Sequence, residues 1–161
     1  MINSYKQLLL QREAFIEQTR WLSLCINSGL KPLDATTLQT QTQDLVQVCK
    51  EYEDTLAHIQ IERLKLHWTI SCVAQSVQNQ LAAFRVALNE IGNSFNLENN
   101  TENRISVMLL SRLLTDSKLI QSHASDVLIQ LLKCVYPNEI QFVYFSIPLH
   151  NNLYVEHPTI H

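Results

Sequence analysis

Asp54, His58 and Glu62 are the residues whose types and spacing could do chemistry in this sequence. Side chains four residues apart lie on one face of a helix, so two carboxylates and an imidazole would line up as candidate metal ligands. A metal site also needs a ligand from another element and ordered partners behind its ligands. The sequence indicates neither, so we interpret the three residues as a solvated polar stripe and predict no metal and no cofactor.

Ser122, His123 and Asp126 form a second group that would lie together on a helix. A nucleophilic triad needs its serine on a strained turn beside an oxyanion hole, as in the G-x-S-x-G pattern. The sequence has no such pattern, so we interpret the group as an ordinary polar helix face and predict no catalytic residue. A polar terminus likewise explains the three histidines near the C-terminus: His150, His157 and His161.

The composition excludes several classes of protein. With 46% hydrophobic and 17% charged residues, the 161-residue chain is expected to fold as one domain. Only two glycines occur, too few for the glycine-rich loops that bind nucleotide phosphates.

A net charge of −3 with scattered basic residues argues against nucleic acid or an anionic membrane as a direct partner. Without a signal peptide or an apolar run of about 20 residues, a cytoplasmic protein is predicted.

Four cysteines are spread along the chain without a C-x-x-C pair. Each has apolar neighbours within a helical pattern, so we expect buried free thiols and not a redox or metal site. The four are Cys25, Cys49, Cys72 and Cys134.

A first helix is predicted over about residues 5–28. Ser4 and Gln7 form a capping box at its start, and Gly29 with Pro32 ends it. Its apolar residues recur at helical spacing: Tyr5, Leu8, Phe15, Leu22 and Ile26.

A last helix is predicted over about residues 101–136, with Asn99 as its cap and Pro137 beyond its end. The polar run 115–117 is expected to bend or split it. Its expected core residues are Ile105, Met108, Leu109, Leu113, Ile120, Val127, Leu128, Leu131 and Val135. Residues 138–161 follow as a short extended tail, because residues 140–147 are β-branched and aromatic.

A heptad repeat covers residues 36–93, which contain no proline and no glycine before Gly92. Its core positions are 38, 45, 52, 59, 66, 73, 80 and 87, with 42, 49, 56, 63, 70, 77, 84 and 91. Thirteen of these sixteen positions are apolar, the exceptions being Thr42, Arg63 and Gln80. This period is typical of helices that pack along a seam.

The predicted fold is all-α, with one helical domain over residues 1–137 and two possible architectures. A break near residues 60–64 would give an antiparallel four-helix bundle from segments 5–28, 36–60, 64–92 and 101–136. An unbroken helix over 36–93 would give an elongated coiled coil, a rod of roughly 87 Å. The lack of a helix breaker favours the rod.

Five residues near the middle of the chain are candidates for a partner interface. Arg63 and Gln80 interrupt the seam, where Arg63 is either a snorkelling side chain or a specificity device paired with an acidic partner residue. Opposite the seam lies a second apolar set, which is core in a bundle and an exposed binding patch in a rod: Ile61, Leu64 and Trp68.

The terminal sequence YFSIPLHNNLYVEHPTIH, with Pro148-Leu149 and Val155-x-His157, follows heptad helices that carry no catalytic motif. In this layout the chain resembles a small coiled-coil subunit of the augmin (HAUS-type) spindle complex. The resemblance implies a non-enzymatic subunit of a complex that promotes microtubule nucleation and mitotic spindle assembly. It implies no catalytic residue.

The leading functional prediction is therefore a structural subunit that binds other helical subunits in a hetero-oligomer. Because the chain has no basic patch, its association with microtubules is expected to be indirect. The alternative is a bacterial secretion chaperone or adaptor that packs helices against one client. A metal-binding four-helix enzyme that uses Asp54, His58 and Glu62 is the third possibility.

Overall fold

The computed structural model describes residues 2–27, 35–62, 68–95 and 100–135, with side chains over 4–27, 35–59, 70–95 and 103–133. These ranges contain four helices and no strand, which confirms the predicted all-α class. The helices are α1 (Ile2–Asn27), α2 (Ala35–Glu62), α3 (Trp68–Ser94) and α4 (Asn100–Val135). The predicted C-terminal tail, 138–161, lies outside the described residues.

The four helices form an antiparallel bundle. Each helix packs against the next along the chain, and α1 also packs against α4. Neighbouring helices run in opposite directions, since Gln43 of α2 lies beside Asn89 of α3 whereas Glu53 lies beside Arg85. Of the two predicted architectures, the four-helix bundle agrees with the structure, whereas the favoured unbroken helix over 36–93 is wrong, because its two halves are separate helices packed against each other.

Burial of apolar surface explains why the chain folds back here without a proline or glycine. On a continuous rod, the seam of each half would have only one neighbouring helix of this chain to cover it. Folding α3 back onto α2 removes both seams from water, and burial of apolar area is the largest favourable term in folding. The absence of a breaker residue was therefore a misleading signal.

Two other boundary predictions are corrected. Because α1 begins at Ile2, Ser4 and Gln7 lie inside the helix and form no capping box at its start. The run 115–117 does not split α4 into two helices, since α4 is continuous from Asn100 to Val135. There the hydroxyls of Thr115 and Ser117 donate to the carbonyl oxygens of Ser111 and Leu114, so they are satisfied within the helix.

The buried face of α2 includes every position that the sequence pattern selected between residues 38 and 59, and Glu53 and Thr55 are buried in addition. All seven of those positions are buried: Leu38, Thr42, Leu45, Cys49, Tyr52, Leu56 and Ile59. Thr42 is buried although its hydroxyl oxygen has no hydrogen-bond partner in the described part of the chain. Its position on the helix, and not its polarity, therefore determines its burial.

The predicted register agrees with α3 only in part. Val73, Gln80, Ala87 and Ile91 are only half-buried, although Val73 and Ile91 pack against the core. The residues that follow the first three are buried instead, alternating with three that were predicted: Ile70, Ala74, Val77, Leu81, Phe84 and Leu88. A pattern counted from α2 does not carry over, because α3 is a separate helix whose orientation is set by its own neighbours.

Gly92 allows α2 and α3 to approach closely near the end of α3. A Cβ atom on this residue would lie 3.1 Å from both the Gln43 Nε2 and the Thr42 Cγ2. Gln43 also donates to the Asn89 side-chain oxygen, at 3.4 Å. Gly92 therefore leaves room for the close contact between the two helices, and α3 continues beyond it to Ser94.

An ion pair joins the same two helices farther along. Arg85 donates from Nε to Glu53 Oε2 at 2.7 Å and from Nη2 to Oε1 at 3.2 Å. This hydrogen bond raises the pKa of Arg85. The Glu53 side chain is 11% exposed and that of Arg85 32% exposed, so the carboxylate depends on its partner more than the guanidinium does.

We expect Gly92→Leu to destabilise the bundle by about 1–3 kcal/mol, because a side chain there must separate α2 from α3. Urea unfolding followed by circular dichroism would show a lower midpoint. Asn93→Leu is the matched control, since Asn93 is the exposed neighbour and its substitution should change the midpoint little. A Gly92→Leu protein as stable as the wild type would contradict the close packing.

A double-mutant cycle on Glu53 and Arg85 should detect coupling. Arg85→Met alone leaves the Glu53 carboxylate without its bidentate partner, and we expect a loss of roughly 1–2 kcal/mol in the free energy of unfolding. Adding Glu53→Gln should restore part of that loss. If the two effects simply add, the ion pair contributes nothing to stability.

Candidate interaction surfaces

The stripe that could have bound a metal is on the outside of α2. Asp54 and His58 are exposed, and the side chain of Glu62 lies outside the described residues. Among the side chains that the structure describes, no group of three or more histidines, cysteines, aspartates or glutamates is placed to bind a metal ion.

The polar group on α4 is divided between solvent and the bundle. Ser122 and Asp126 are exposed, whereas His123 is half-buried and contacts Gln80 of α3. Depending on its tautomer, the imidazole Nδ1 accepts from the amide nitrogen at 2.9 Å or donates to the amide oxygen at 3.0 Å. The described contact of His123 is thus with α3.

Four of the five predicted partner-interface residues have side chains outside the described part of the chain. The side chains of Ile61, Arg63, Leu64 and Trp68 lie outside the described residues, although Trp68 is the first residue of α3. Gln80 is half-buried, and its amide is used within the bundle by the contact with His123. A role for these five residues in partner binding stays a prediction.

The cysteines differ in exposure. Cys49 is fully buried, and burial raises the pKa of its thiol. Cys25 is half-buried, while Cys72 is exposed, which corrects the expectation that it is buried. The side chain of Cys134 lies outside the described residues.

A buried polar layer lies between α1 and α4, and the sequence did not indicate it. Arg12 is only 1% exposed, and its Nε donates to the carbonyl oxygen of Gln121 at 3.4 Å. The Gln121 amide nitrogen lies 3.4 Å from the hydroxyls of both Thr19 and Ser117. Burial lowers the pKa of Arg12, and nearby Tyr52 opposes that shift.

The outer face of α1 exposes three large apolar side chains. Leu10, Trp21 and Leu24 are 66%, 54% and 57% exposed, respectively. Trp21 and Leu24 line a shallow depression of about 280 Å³ together with polar residues of the same helix: Glu17, Gln18 and Arg20. We call Leu10, Trp21 and Leu24 the α1 surface.

The outer face of α4 exposes four more large apolar side chains. We call them, with the three exposed cations beside them, the α4 surface. Its apolar members are Ile105, Met108, Leu109 and Leu119, and its cations are Arg104, Arg112 and Lys118. Ile105, Met108 and Leu109 were predicted to be core, and this is wrong, because the core face of α4 is formed instead by residues such as Leu110, Leu114 and Leu128.

A finer reading of periodicity could have found the α1 surface. Leu8, Phe15 and Leu22 recur every seven residues and are buried. Leu10 and Leu24 follow these positions by two residues, a rotation of about 200° that turns them away from the core. On α4 the apolar residues are too many for one stripe, so periodicity alone leaves the buried set ambiguous.

None of the four described helices is apolar over a stretch long enough to cross a bilayer. The sequence matches no protein-family model, and comparison with curated proteins and with solved structures gave no significant match.

Proposed function

We propose that the chain is a non-enzymatic structural subunit of a multiprotein helical complex. The observation that supports this most directly is the α1 surface together with the α4 surface. Seven large apolar side chains are exposed there by a bundle whose core is already filled by the inner faces of all four helices. Exposed apolar patches of this kind are typical of protein-binding sites.

Trp21 is the expected anchor of a partner on α1. Tryptophan dominates many interfaces because it buries a large apolar area at little cost in side-chain entropy. Its indole is half-exposed next to Leu24, beside a depression that a partner side chain can enter. Glu17 and Arg20 at the rim of this depression can contact polar groups of the same partner.

The cellular setting that we propose is an augmin-type complex, in which the chain supports microtubule nucleation and spindle assembly in the cytoplasm. This part rests on the resemblance of the chain's layout and of its terminal sequence. In this setting the chain contacts sister subunits, and the assembled complex contacts the microtubule.

Trp21→Ala combined with Leu24→Ala should reduce partner binding. Tagged protein purified from the native cell should co-elute with stoichiometric partner subunits in size-exclusion chromatography. We expect the double variant to retain roughly one tenth or less of them, because loss of a tryptophan that anchors an interface costs about 2 kcal/mol or more. Val86→Ala is the matched control, since Val86 is an exposed apolar residue on α3. A wild-type chain that elutes without stoichiometric partners would refute the proposed function.

The augmin-type setting has a separate test. A fluorescent fusion of the chain should concentrate on the mitotic spindle in dividing cells. In sedimentation assays, the purified complex should pellet with microtubules, whereas the isolated chain should stay in the supernatant. Uniform fluorescence through mitosis would reject the spindle assignment and leave the general role of a subunit to the co-elution test.

A further inference from the structure

The α4 surface combines apolar and basic side chains on the exposed part of the helix, with exposed Asp116 among them and Lys118 at one edge. Ile105 and Leu119 mark its ends, and Met108 with Leu109 lies one turn from Ile105. The fourteen-residue separation of the ends corresponds to roughly 21 Å, or about four helical turns. Arg104, Arg112 and Lys118 are exposed beside these apolar residues.

The charge of this surface is opposite to that of the chain. Arg104, Arg112 and Lys118 are three cations, and Asp116 is the one carboxylate among side chains 103–119. The whole chain carries a net charge of −3, so the α4 surface stands out as locally basic. A partner that matches it must therefore bring carboxylates around an apolar strip.

The α1 surface lacks this bias. Exposed Lys6 and Arg20 on α1 are balanced by exposed Glu13 and Glu17. Charge therefore gives the α1 surface no preference for an acidic or a basic partner, and only the α4 surface selects one by sign.

We propose that the α4 surface binds an amphipathic helix of a partner protein whose apolar stripe is flanked by glutamate and aspartate. This inference rests on the proposed function, because it specifies one of the partners of a structural subunit. The apolar residues of the partner pack on Ile105, Met108 and Leu109, and its carboxylates pair with Arg104 and Arg112, which each lie one helical turn from Met108.

A helix fits this surface better than an extended segment does. Helical partners present apolar side chains every three or four residues, which matches the spacing from Ile105 to Met108 and Leu109. Met108, at 60% exposure, is flexible and polarisable and can adapt to the side chains packed against it. The cations at the rim speed association and select the orientation, and the apolar strip provides most of the affinity.

A pair of designed peptides tests the proposal. Both are 21-residue alanine-based helices with one leucine stripe, flanked by glutamates in one and by lysines in the other. We expect the acidic peptide to bind the full chain at least about tenfold more tightly than the basic peptide, as measured by fluorescence anisotropy. The difference should shrink as salt is raised from 0.05 M to 0.5 M, because salt screens exposed charges.

Three variants locate the binding. Arg104→Glu, Arg112→Glu and Lys118→Glu together should reverse the preference, so that the basic peptide binds more tightly. Met108→Ser with Leu109→Ser should weaken the acidic peptide by roughly tenfold or more. Val86→Ala, on α3 and outside both surfaces, should leave its affinity unchanged. All these positions are exposed, so circular dichroism should show the same helical content in every variant.

Four results would overturn the inference. The first is equal affinity for both peptides, and the second is a preference that survives the charge reversal. In the third, the chain binds phosphatidylserine vesicles and not the acidic peptide, and charge reversal abolishes the vesicle binding. This result would assign the surface to a lipid membrane. The fourth is self-association, without peptide binding, that is lost in Met108→Ser with Leu109→Ser, which would assign it to a second copy. After any of these four results, loss of native partners in Trp21→Ala with Leu24→Ala would still support the proposed function. The two proposals can therefore fail separately.

Discussion

The ring of Phe15 joins three helices at the middle of the bundle. It meets Tyr52 of α2 and Phe84 of α3 edge to face, with centroid distances of 6.4 Å and 5.6 Å. Such pairs add to the apolar area that aromatic rings already bury. On a continuous helix, residues 52 and 84 would be roughly 48 Å apart, at 1.5 Å for each residue. Phe15 can contact both Tyr52 and Phe84 only because the segment with the heptad repeat folds back as α2 and α3. The ring of Phe15 therefore packs against two antiparallel helices and not against one continuous rod.

The contact between α1 and α4 completes the bundle with different chemistry. Arg12 and Gln121 lie inside it, where an unsatisfied polar group is costly. The hydroxyls of Thr19 and Ser117 contact the Gln121 amide nitrogen, whereas the buried amide oxygen has no hydrogen-bond partner among the described residues. Polar groups of this kind pack favourably in one register only, since a shift of one turn would separate donors from acceptors. We infer that this layer selects the alignment of α1 with α4, while apolar burial supplies the stability.

Sequence reasoning succeeded where one helix buries one clear stripe. The residues of α2 from Leu38 to Ile59 show this, since every selected position among them is buried, with only Glu53 and Thr55 buried in addition. It failed in part for α3, because Val73 and Ala74 are both apolar and only the neighbouring helices determine which of them is buried. It also failed for Met108, because the apolar character of a side chain does not show whether the fold of the chain buries it. The polar layer was missed because its partners are about 100 residues apart in the chain.

The alignment of α1 with α4 also places the two surfaces relative to each other. The helices are antiparallel, so the C-terminal part of α1 lies at the same end of the bundle as the N-terminal part of α4. Trp21 and Leu24 are therefore at the same end of the bundle as Met108 and Leu109. Because the core does not depend on these side chains, partners can bind there without opening the bundle. Substitutions on these surfaces can then leave the fold intact, which suits the structural subunit that we propose.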